Sequence, residues 1–423
     1  MKIPQVVAAL LQAAAISGSS RWVAQARKAV SQVRPNDAGP RGTTPRQLLV
    51  DVSIIATHDG GTGIQRVVRS ILAELIHSPP SGFAVRPVMA TRKKPYRYAY
   101  AYTSMLGAAP SPELDKCVEA RDGDVFLGLD LSSRVAPSRQ REFLAWRAAG
   151  VRLAFVVYDL LPASNPLWFT RRARRDFERW LRLISIHADS LLCISNAVAD
   201  DAKAWLEKQY GLSAPQPSFE WFHLGADAPS PRHEIVCPTP LLEQHTLDMR
   251  STVLMVGTIE PRKGHAQVLN AFERLWQNGH DAVLVVAGRA GWHMSELIAR
   301  LRSHPESGRR LIWLENAHDG HLAWLYRNMS GLLQASEAEG FGLPLIEAAQ
   351  YGMPILARDL PVFREIAGAH ASYFNGRECS DIASQLATWL VAIKSGAAPD
   401  SRQLPVMSWH AATERLKTLL LRV

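Results

Sequence analysis

The chain has 423 residues, of which 47% are hydrophobic, 21% are charged and 8% are aromatic. This length exceeds one ordinary core and favours two domains, and the composition excludes a largely disordered chain. Lysine and arginine number 48 against 39 aspartate and glutamate, a formal charge of +9. That charge favours phosphates, nucleic acid or an anionic membrane as partners, unless it marks only a soluble basic protein.

The cysteines of the chain are far apart and show no CxxC spacing. They are Cys117, Cys193, Cys237 and Cys379. Zinc sites and disulfide frameworks need cysteines in characteristic spacings, so neither is expected. A reducing, cytoplasmic location fits this usage best.

Residues 1–46 are predicted to form an N-terminal extension and a linker. The apolar stretch at residues 6–16 is too short and too polar to span a bilayer, and no clean signal-peptide cleavage site follows it. It predicts an amphipathic helix that either packs on the folded protein or contacts a membrane surface. Residues 35–46 are rich in proline, glycine and threonine, which indicates a linker.

The first domain is predicted over residues 47–230, where short apolar runs alternate with helical patterns. Strands are predicted at residues 48–55, 124–129, 151–157 and 190–194, with helices at 63–76 and 196–210. This alternation predicts a parallel sheet covered on both faces by helices. A proline-rich stretch at residues 226–240 is predicted to connect this domain to the next.

A second domain is predicted over residues 231–405, followed by a C-terminal helix at 406–423 that packs back toward the first domain. Its strands are predicted at 252–257, 282–288, 311–315, 331–336 and 354–357, and its helices begin near His265, Ser295, Gly320 and Pro344. The predicted fold class is therefore α/β, with two Rossmann-like domains and a cleft between them.

Two loops that follow predicted strands carry unusual chemistry. Arg262 and Lys263 stand just before a helix, where free backbone N–H groups and two cations favour a diphosphate. Alone, such a pair is more often part of a solvated loop. In the second loop, Gly340 and Gly342 allow close approach to a ligand, and the carboxylates of Glu339 and Glu347 can accept hydrogen bonds from sugar hydroxyls.

The segment from Glu339 to Glu347 resembles the E-x7-E signature of family 4 retaining glycosyltransferases, which have the GT-B fold. Companion motifs occur in the expected order at residues 256–258, 261–264, 285–288, 322–326 and 363–368. Looser matches lie at residues 51–53, 60–66, 158–162, 193–196 and 224–227. The set is similar to the branch that builds mannose- or rhamnose-containing bacterial surface polysaccharides.

The resemblance implies roles for individual residues. Arg262 and Lys263 would hold the donor diphosphate, and Glu347 would accept hydrogen bonds from the ribose. Glu339 would face the donor sugar and act with the two cations in catalysis. The donor-binding residues implied by the resemblance are Gly61, Gly63, Gly257, Arg262, Lys263, Asn316, Glu339, Gly340, Phe341, Gly342, Leu343 and Glu347.

Tyr158 and Asp159 would lie on the sugar or acceptor side of the site. Many relatives have a histidine before this aspartate, so the tyrosine either alters recognition at the sugar's C6 side or is a buried packing residue.

The expected reaction transfers a hexose, mannose or D-rhamnose, with retention of anomeric configuration and without a metal. The donor would be a nucleotide sugar, with a GDP-sugar favoured, and no other cofactor is expected. The acceptor would be a saccharide or a polyprenyl-diphosphate-linked saccharide. The alternatives are a GT-B hydrolase or epimerase acting on a sugar nucleotide, and a non-catalytic nucleotide-sugar binding module of an assembly complex.

A strongly basic segment at residues 168–182 has aromatic residues at helical spacing. It predicts an amphipathic helix that packs Phe177, Trp180 and Leu181 and leaves its arginines in solvent. Alternatively, it docks to an anionic membrane or a lipid diphosphate, with residues 92–98 adding to the patch. No recognition motif supports binding of nucleic acid by this segment, so nucleic acid is not expected as a partner.

Overall fold

The computed structural model describes residues 3–33, 45–105, 116–211, 216–226 and 234–422. The chain forms two compact units: the first comprises Met1–Leu224 and Trp409–Val423, and the second comprises Gly225–Ser408. The strands of the described residues are β1 (Arg46–Asp51), β2 (Phe83–Met89), β3 (Arg97–Tyr98), β4 (Val125–Gly128), β5 (Arg152–Val157), β6 (Ser190–Cys193), β7 (Ser218–Trp221), β8 (Thr252–Val256), β9 (Val283–Ala287), β10 (Leu311–Leu314), β11 (Gly331–Gln334), β12 (Ile355–Arg358) and β13 (Ser372–Phe374).

The α-helices of the same residues are α1 (Ile3–Ser17), α2 (Val23–Ser31), α3 (Gly63–His77), α4 (Tyr100–Met105), α5 (Gln140–Ala148), α6 (Leu161–Ser164), α7 (Arg171–His187), α8 (Asn196–Tyr210), α9 (Pro240–Leu247), α10 (His265–Gln277), α11 (Ser295–Ser303), α12 (Asp319–Asn328), α13 (Leu343–Gln350), α14 (Pro361–Ala367), α15 (Cys379–Ser395) and α16 (Trp409–Leu421). None of these helices is both long and apolar enough to cross a membrane.

The sheet of the first unit has the strand order β3-β2-β1-β4-β5-β6-β7. Its strands pair in parallel, except that β3 runs antiparallel to β2. Leu48 of β1 lies between Val85 of β2 and Val125 of β4. The central strands β4 and β6 are buried along their whole length, as expected for a parallel sheet between two helical layers.

The helices at both ends of the chain pack on the first unit. α1 and α2 contact α7, and α16 contacts α3. The buried guanidinium of Arg27 in α2 donates to the carbonyl oxygens of Ser185 and Ala188, at 3.1 and 2.7 Å, and so caps the C-terminal end of α7. Packing is therefore what the structure shows for the N-terminal helices.

The sheet of the second unit is parallel throughout and has the order β10-β9-β8-β11-β12-β13. This is the strand order of a doubly wound nucleotide-binding sheet. One core cluster joins α10, α15 and the sheet through Phe272, Leu386 and Trp389, among other buried residues. The direction of strand addition reverses between β8 and β11, where ligands bind in sheets of this kind.

Most of the predicted elements are confirmed. α8 and the starts of α10 and α11 agree with the predicted residues. The predicted strand at residues 48–55 is too long, because the strand ends at Asp51 and the chain then turns. Residues 35–44 and 227–233 of the predicted linkers lie outside the described residues, and so does Asp227, the last residue of one N-terminal match.

The boundaries of the units can be compared with the predicted domains. The first unit ends at Leu224, and the prediction placed this boundary after residue 230. The C-terminal helix begins at Trp409, within the predicted range of 406–423, and it belongs to the first unit.

Candidate functional site

The switch point of the second sheet carries the residues that the sequence singles out. The loop after β8 contains Arg262 and Lys263, and the loop after β11 contains Glu339. Because β8 and β11 are neighbours, parallel strands bring both loops to the same edge of the sheet.

Gly264 allows the first of these loops to pack tightly against the second. Pro261–Lys263 form a single helical turn, and Gly264 follows it with φ of +75°. A Cβ atom at Gly264 would lie 2.4 Å from the carbonyl oxygen of Ala335, so a larger residue would push the loops apart. The N–H of Glu337 donates to the carbonyl of Arg262 at 2.7 Å, which ties the loops together.

Glu339 forms ion pairs with both cations of the first loop. Its Oε2 lies 2.5 Å from Arg262 Nη1, and its Oε1 lies 2.5 Å from Lys263 Nζ. The Ser336 hydroxyl donates to Oε1 at 2.8 Å. Burial opposes ionisation of Glu339, but the charges of Arg262 and Lys263 outweigh it and lower the pKa of the carboxyl to about 2.

The two cations have further neighbours that fix their positions. Arg262 Nη2 lies 2.6 Å from Glu260 Oε1, so this guanidinium lies between two carboxylates. Gly257, with φ of +137°, faces Lys263: an added Cβ would lie 3.4 Å from the Lys263 Cε. The site thus pairs two cations with two carboxylates, and an anionic ligand must compete with Glu260 and Glu339 for them.

The loop before α13 approaches its neighbours through a second left-handed glycine. Gly342 has φ of +101°, and a Cβ there would lie 2.8 Å from the Phe363 ring. Phe341 is buried, Gly340 is also buried, and Leu343 begins the helix. One turn further on, the buried carboxylate of Glu347 accepts a 2.6 Å hydrogen bond from the Tyr326 hydroxyl of α12.

Asn316 lies apart from this cluster, although it belongs to the same unit. It is exposed and follows β10, the edge strand of the sheet, two strands away from β8. The second unit therefore brings together Gly257, Arg262, Lys263, Glu339, the loop at residues 340–343 and Glu347, and it leaves Asn316 at the edge.

Gly61 and Gly63 belong to the first unit, at the start of α3. Gly61 has φ of +65°, and its N–H donates to Asp59 Oδ1 at 3.0 Å. Thr62 caps α3 in a capping box with Gln65, whose Oε1 also accepts from the Gly60 N–H at 2.8 Å.

Tyr158 and Asp159 also lie in the first unit, directly after β5. Tyr158 is buried, and its hydroxyl donates to the Leu129 carbonyl at 2.8 Å. Asp159 Oδ1 accepts from the Leu161 N–H at 3.0 Å. Burial and this hydrogen bond support the interpretation of Tyr158 as a packing residue.

Two buried carboxylates lie at the switch point of the first sheet, and sequence reasoning missed their interaction. Asp51 ends β1 and accepts from the hydroxyls of Ser53, Ser132 and Tyr96 at 2.5, 2.7 and 3.1 Å. Asp130 follows β4, and its Oδ2 accepts from the N–H groups of residues 54 and 55, each at 2.8 Å. Burial, followed by the charge of Asp51, raises the pKa of Asp130 to about 7.

Sequence reasoning also missed Glu260, Ser336 and Tyr326 as partners of the site. Ser336 stands at the end of a predicted strand and Tyr326 within a matching motif, so a signal existed for both. Glu260 had no comparable signal. Within the described ranges, no group of three or more His, Cys, Asp or Glu side chains could hold a metal ion.

Comparison with known proteins places this site in a class. Residues 241–390 match the family model described as "Glycosyl transferases group 1", and this match includes the whole charged cluster of the second unit. Two solved structures share the fold: HepE of Anabaena and sucrose-phosphate synthase of Thermosynechococcus elongatus. HepE is 13% identical with a TM-score of 0.58, over 89% of this chain and 100% of that one. The synthase is 14% identical with a TM-score of 0.60, over 89% of this chain and 98% of that one.

A particular relative is a serotype-specific mannosyltransferase, WbdA of Escherichia coli, which is 42% identical over 376 residues. The match covers 88% of this chain but 44% of WbdA, so the chain spans less than half the length of that relative. The chain thus resembles bacterial mannosyltransferases and has the GT-B fold. This confirms the predicted resemblance to glycosyltransferases of bacterial polysaccharide synthesis and the predicted α/β, GT-B fold class, while membership of family 4 and retention of configuration stay predictions.

Proposed function

We propose that the chain is a retaining, metal-independent hexosyltransferase of bacterial surface polysaccharide synthesis. It transfers mannose or D-rhamnose from a GDP-sugar to a saccharide or a polyprenyl-diphosphate-linked saccharide. The observation that carries the proposal is the cluster of Arg262, Lys263 and Glu339 at the switch point of the second sheet. The name of WbdA, a mannosyltransferase, supports mannose as the sugar.

The cluster suits departure of a nucleoside diphosphate. When the bond to the sugar breaks, negative charge develops on the leaving diphosphate. The side chains of Arg262 and Lys263 are only 18% and 13% exposed, so they stabilise this charge more strongly than water would. Glu339 holds both cations in place before the donor binds and then faces the sugar. Glu347, fixed by Tyr326, is the acceptor for the ribose hydroxyls.

The reaction proceeds on one face of the sugar in this proposal, with the leaving phosphate taking the proton of the acceptor hydroxyl. The bond from the anomeric carbon to the phosphate oxygen breaks, and the bond from that carbon to the acceptor oxygen forms. Retention is tested by NMR of the product, in which the anomeric configuration must equal that of the donor. Full activity in the presence of EDTA tests metal independence.

Lys263→Ala is the decisive variant. It should abolish hexose transfer from GDP-mannose while leaving the circular dichroism spectrum unchanged, because the lysine is part of the charged cluster and lies outside the hydrophobic core. Lys394→Ala, which removes an exposed lysine of α15, is the matched control and should retain activity. Undiminished transfer by Lys263→Ala would refute the assignment.

Two further experiments separate the alternatives. Rapid release of free sugar from the donor without any acceptor favours the hydrolase, and sugar-nucleotide binding without any turnover favours the binding module. A separate experiment identifies the nucleotide. In a thermal-shift screen of GDP, UDP, ADP and TDP, a ligand at 100 times its dissociation constant stabilises the protein by about 2.7 kcal/mol.

Peripheral contact with the cytoplasmic membrane is part of the same proposal. The basic face of α7 and the exposed apolar side chains of α1, which include Val6, Val7 and Leu10, support it. Sedimentation of the full chain with anionic vesicles, and its absence with zwitterionic vesicles, is the expected result.

A further inference from the structure

A cavity of about 500 Å³ in the first unit is surrounded by arginines. It is lined by Arg92, Arg175, Arg179 and Arg182, together with Glu178 and the C-terminal end of α1. We call it the arginine cavity. It belongs to the first unit, and none of its lining residues belongs to the charged cluster around Glu339.

The secondary structure explains how these side chains meet. Arg175, Arg179 and Arg182 are spaced by four and three residues in α7, which puts them on one side of the helix. The opposite side is buried through Phe177, Trp180 and Leu181, as the sequence predicts. Arg92 comes from the loop that follows β2, so residues distant in the chain complete the cavity.

The positive charge of the cavity is largely uncompensated. Glu178 is the acidic residue of its lining, and that carboxylate is 2.9 Å from Arg174, which does not line the cavity. Arg175 lies 3.2 Å from Asp176. Arg182 Nη1 donates to the Gly18 carbonyl at 3.2 Å. Clustered guanidinium groups repel one another, and an anion among them removes that repulsion.

Two of the guanidinium groups are partly buried. The Nε atoms of Arg179 and Arg182 are buried, and neither has a hydrogen-bond partner in the part of the chain that the structure describes. Because a solvent-sized atom does not reach these two nitrogens, a ligand in the cavity binds the terminal nitrogens of the guanidinium groups. Planar guanidinium groups match the oxygens of a phosphate group in geometry and charge.

We propose that the arginine cavity binds a phosphate or diphosphate group. Its volume lies in the range of small-molecule sites and suits a diphosphate with part of the group attached to it. The group comes either from a lipid headgroup or from a free phosphate. The proposal goes beyond the donor site and does not depend on it, because no residue of the Glu339 cluster contributes to this cavity.

Isothermal titration calorimetry with inorganic pyrophosphate tests the site. The full chain carries Lys263→Ala in every sample, so that the donor site contributes little. Adding Arg179→Gln should weaken pyrophosphate binding at least tenfold. Adding Arg171→Gln, which removes an exposed arginine of the same helix outside the cavity, should leave the affinity unchanged. Equal affinity in the Arg179→Gln and Arg171→Gln samples overturns the proposal, and so does the absence of binding in the parent chain.

Vesicles identify the source of the phosphate. Wild-type chain is sedimented with phosphatidylglycerol or phosphatidylcholine vesicles, with and without free pyrophosphate. Loss of phosphatidylglycerol binding in Arg179→Gln, or on addition of pyrophosphate, assigns the site to a lipid headgroup. Pyrophosphate binding that vesicles leave unchanged assigns it to a free phosphate. GDP affinity of Arg179→Gln with Lys263 intact tests the donor site separately, and it should equal that of the wild type.

Discussion

Glu339 forms ion pairs with both cations of the proposed donor site. Its pKa of about 2 keeps it ionised at neutral pH, so each of its oxygens faces a cation. In the proposed function an incoming diphosphate needs the same cations, so it would compete with this carboxylate. The residue that prepares the site would thus also limit how tightly the free nucleotide binds.

Glu339→Gln should separate these two effects. Without the negative charge, Arg262 and Lys263 turn fully to the diphosphate, and GDP should bind about tenfold more tightly, which corresponds to about 1.4 kcal/mol. Hexose transfer should fall by about two orders of magnitude, because the carboxylate facing the sugar is lost. Calorimetry with GDP and initial rates with GDP-mannose provide both values.

Glu337→Gln is the control for this variant. Glu337 lies in the same loop and contacts Gln267 at 3.1 Å and Arg377 at 3.5 Å, outside the Glu339 cluster. Its GDP affinity and transfer rate should equal those of the wild type. Weaker GDP binding by Glu339→Gln would show that the carboxylate organises the cations and does not compete with the ligand.

The Tyr326 hydroxyl should matter for donor binding through Glu347. Tyr326→Phe removes the 2.6 Å hydrogen bond and leaves a buried carboxylate oxygen with one partner fewer. Glu347 then loses the hydrogen bond that fixes its position for the ribose, so the dissociation constant for GDP should rise about tenfold, which corresponds to about 1.4 kcal/mol. The measurement is again calorimetry with GDP.

Tyr351→Phe is matched to that change. The rings of Tyr326 and Tyr351 stack with their centroids 5.8 Å apart, but the buried Tyr351 hydroxyl has no hydrogen-bond partner in the described structure. Removing it deletes the same atom from the same surroundings without breaking a hydrogen bond. If both variants lose equal affinity, the effect lies in ring packing and not in the bond to Glu347.

Sequence reasoning identified the charged residues of the proposed donor site but not the bonds among them. Arg262, Lys263 and Glu339 could be found because their types and spacing are distinctive. That all three form one ion cluster depends on two loops meeting, since Arg262 and Glu339 are 77 residues apart. Tyr326 and Glu347 each lie in a matching motif, but they are 21 residues apart on different helices, so neither motif indicates the hydrogen bond between them.

At the scale of elements, the turn between β8 and α10 determines whether the two loops of the donor site can meet. Gly264→Ala adds a Cβ that would lie 2.4 Å from a backbone carbonyl, at a φ of +75°. Left-handed strain alone costs about 1–2 kcal/mol, and the clash adds to it. We expect a lower melting temperature and a transfer rate reduced at least tenfold.

Gly279→Ala isolates the strain from the clash. Gly279 has φ of +82° just after α10, and a Cβ there would meet no atom within 4 Å. The same strain therefore arises without displacing a loop, and transfer should stay near the wild-type rate. Equal loss of activity in the two variants would rule out loop contact as the function of Gly264.

The strands that the sequence did not predict share physical causes. β3, β7 and β13 lie at the edges of their sheets and are short, so they carry little apolar pattern. β2 lies inside the sheet, but Arg86 and Pro87 interrupt its apolar run. Buried central strands such as β4 and β9 are continuous apolar runs, and they were predicted to within one or two residues.

At the scale of the whole molecule, the first unit combines residues that are distant along the chain, whereas the second unit is one continuous stretch. Both ends of the chain belong to the first unit. Arg27 near the start of the chain caps α7, and Lys417 near its end lies 3.2 Å from the Ser78 hydroxyl that follows α3. Shortening either end therefore removes packing from the first unit, and the second unit keeps its own core.

His187 links the stability of the first unit to pH. It is fully buried at the end of α7, and burial, followed by Arg147 and Arg27, lowers its pKa from 6.5 to about 3. Between these values the unfolded chain binds a proton that the folded chain does not. The neutral histidine therefore permits full stability above pH 6.5, and stability is lost as the pH falls toward 3.

Asp130 in the same unit acts in the opposite direction. Its pKa is raised from 3.8 to about 7, so the folded chain takes up this proton first and gains stability as the pH falls between those values. The two slopes overlap between about pH 4 and 6.5 and partly cancel. The free energy of unfolding of the wild type, measured against pH, therefore shows neither slope separately. The slopes are separated by comparing the wild type with a variant that lacks one of the two groups.

His187→Leu removes one of the two opposing slopes. Relative to the wild type, its free energy of unfolding should rise by up to about 1.4 kcal/mol for each pH unit of acidification between pH 6 and 4, because the slope of Asp130 is no longer opposed. Urea unfolding at several pH values measures this difference. His77→Leu, which replaces an exposed histidine at the end of α3, is the control for the change of residue type. Parallel profiles for His187→Leu and the wild type would show that His187 takes up its proton in the folded chain, and that α7 opens to admit it.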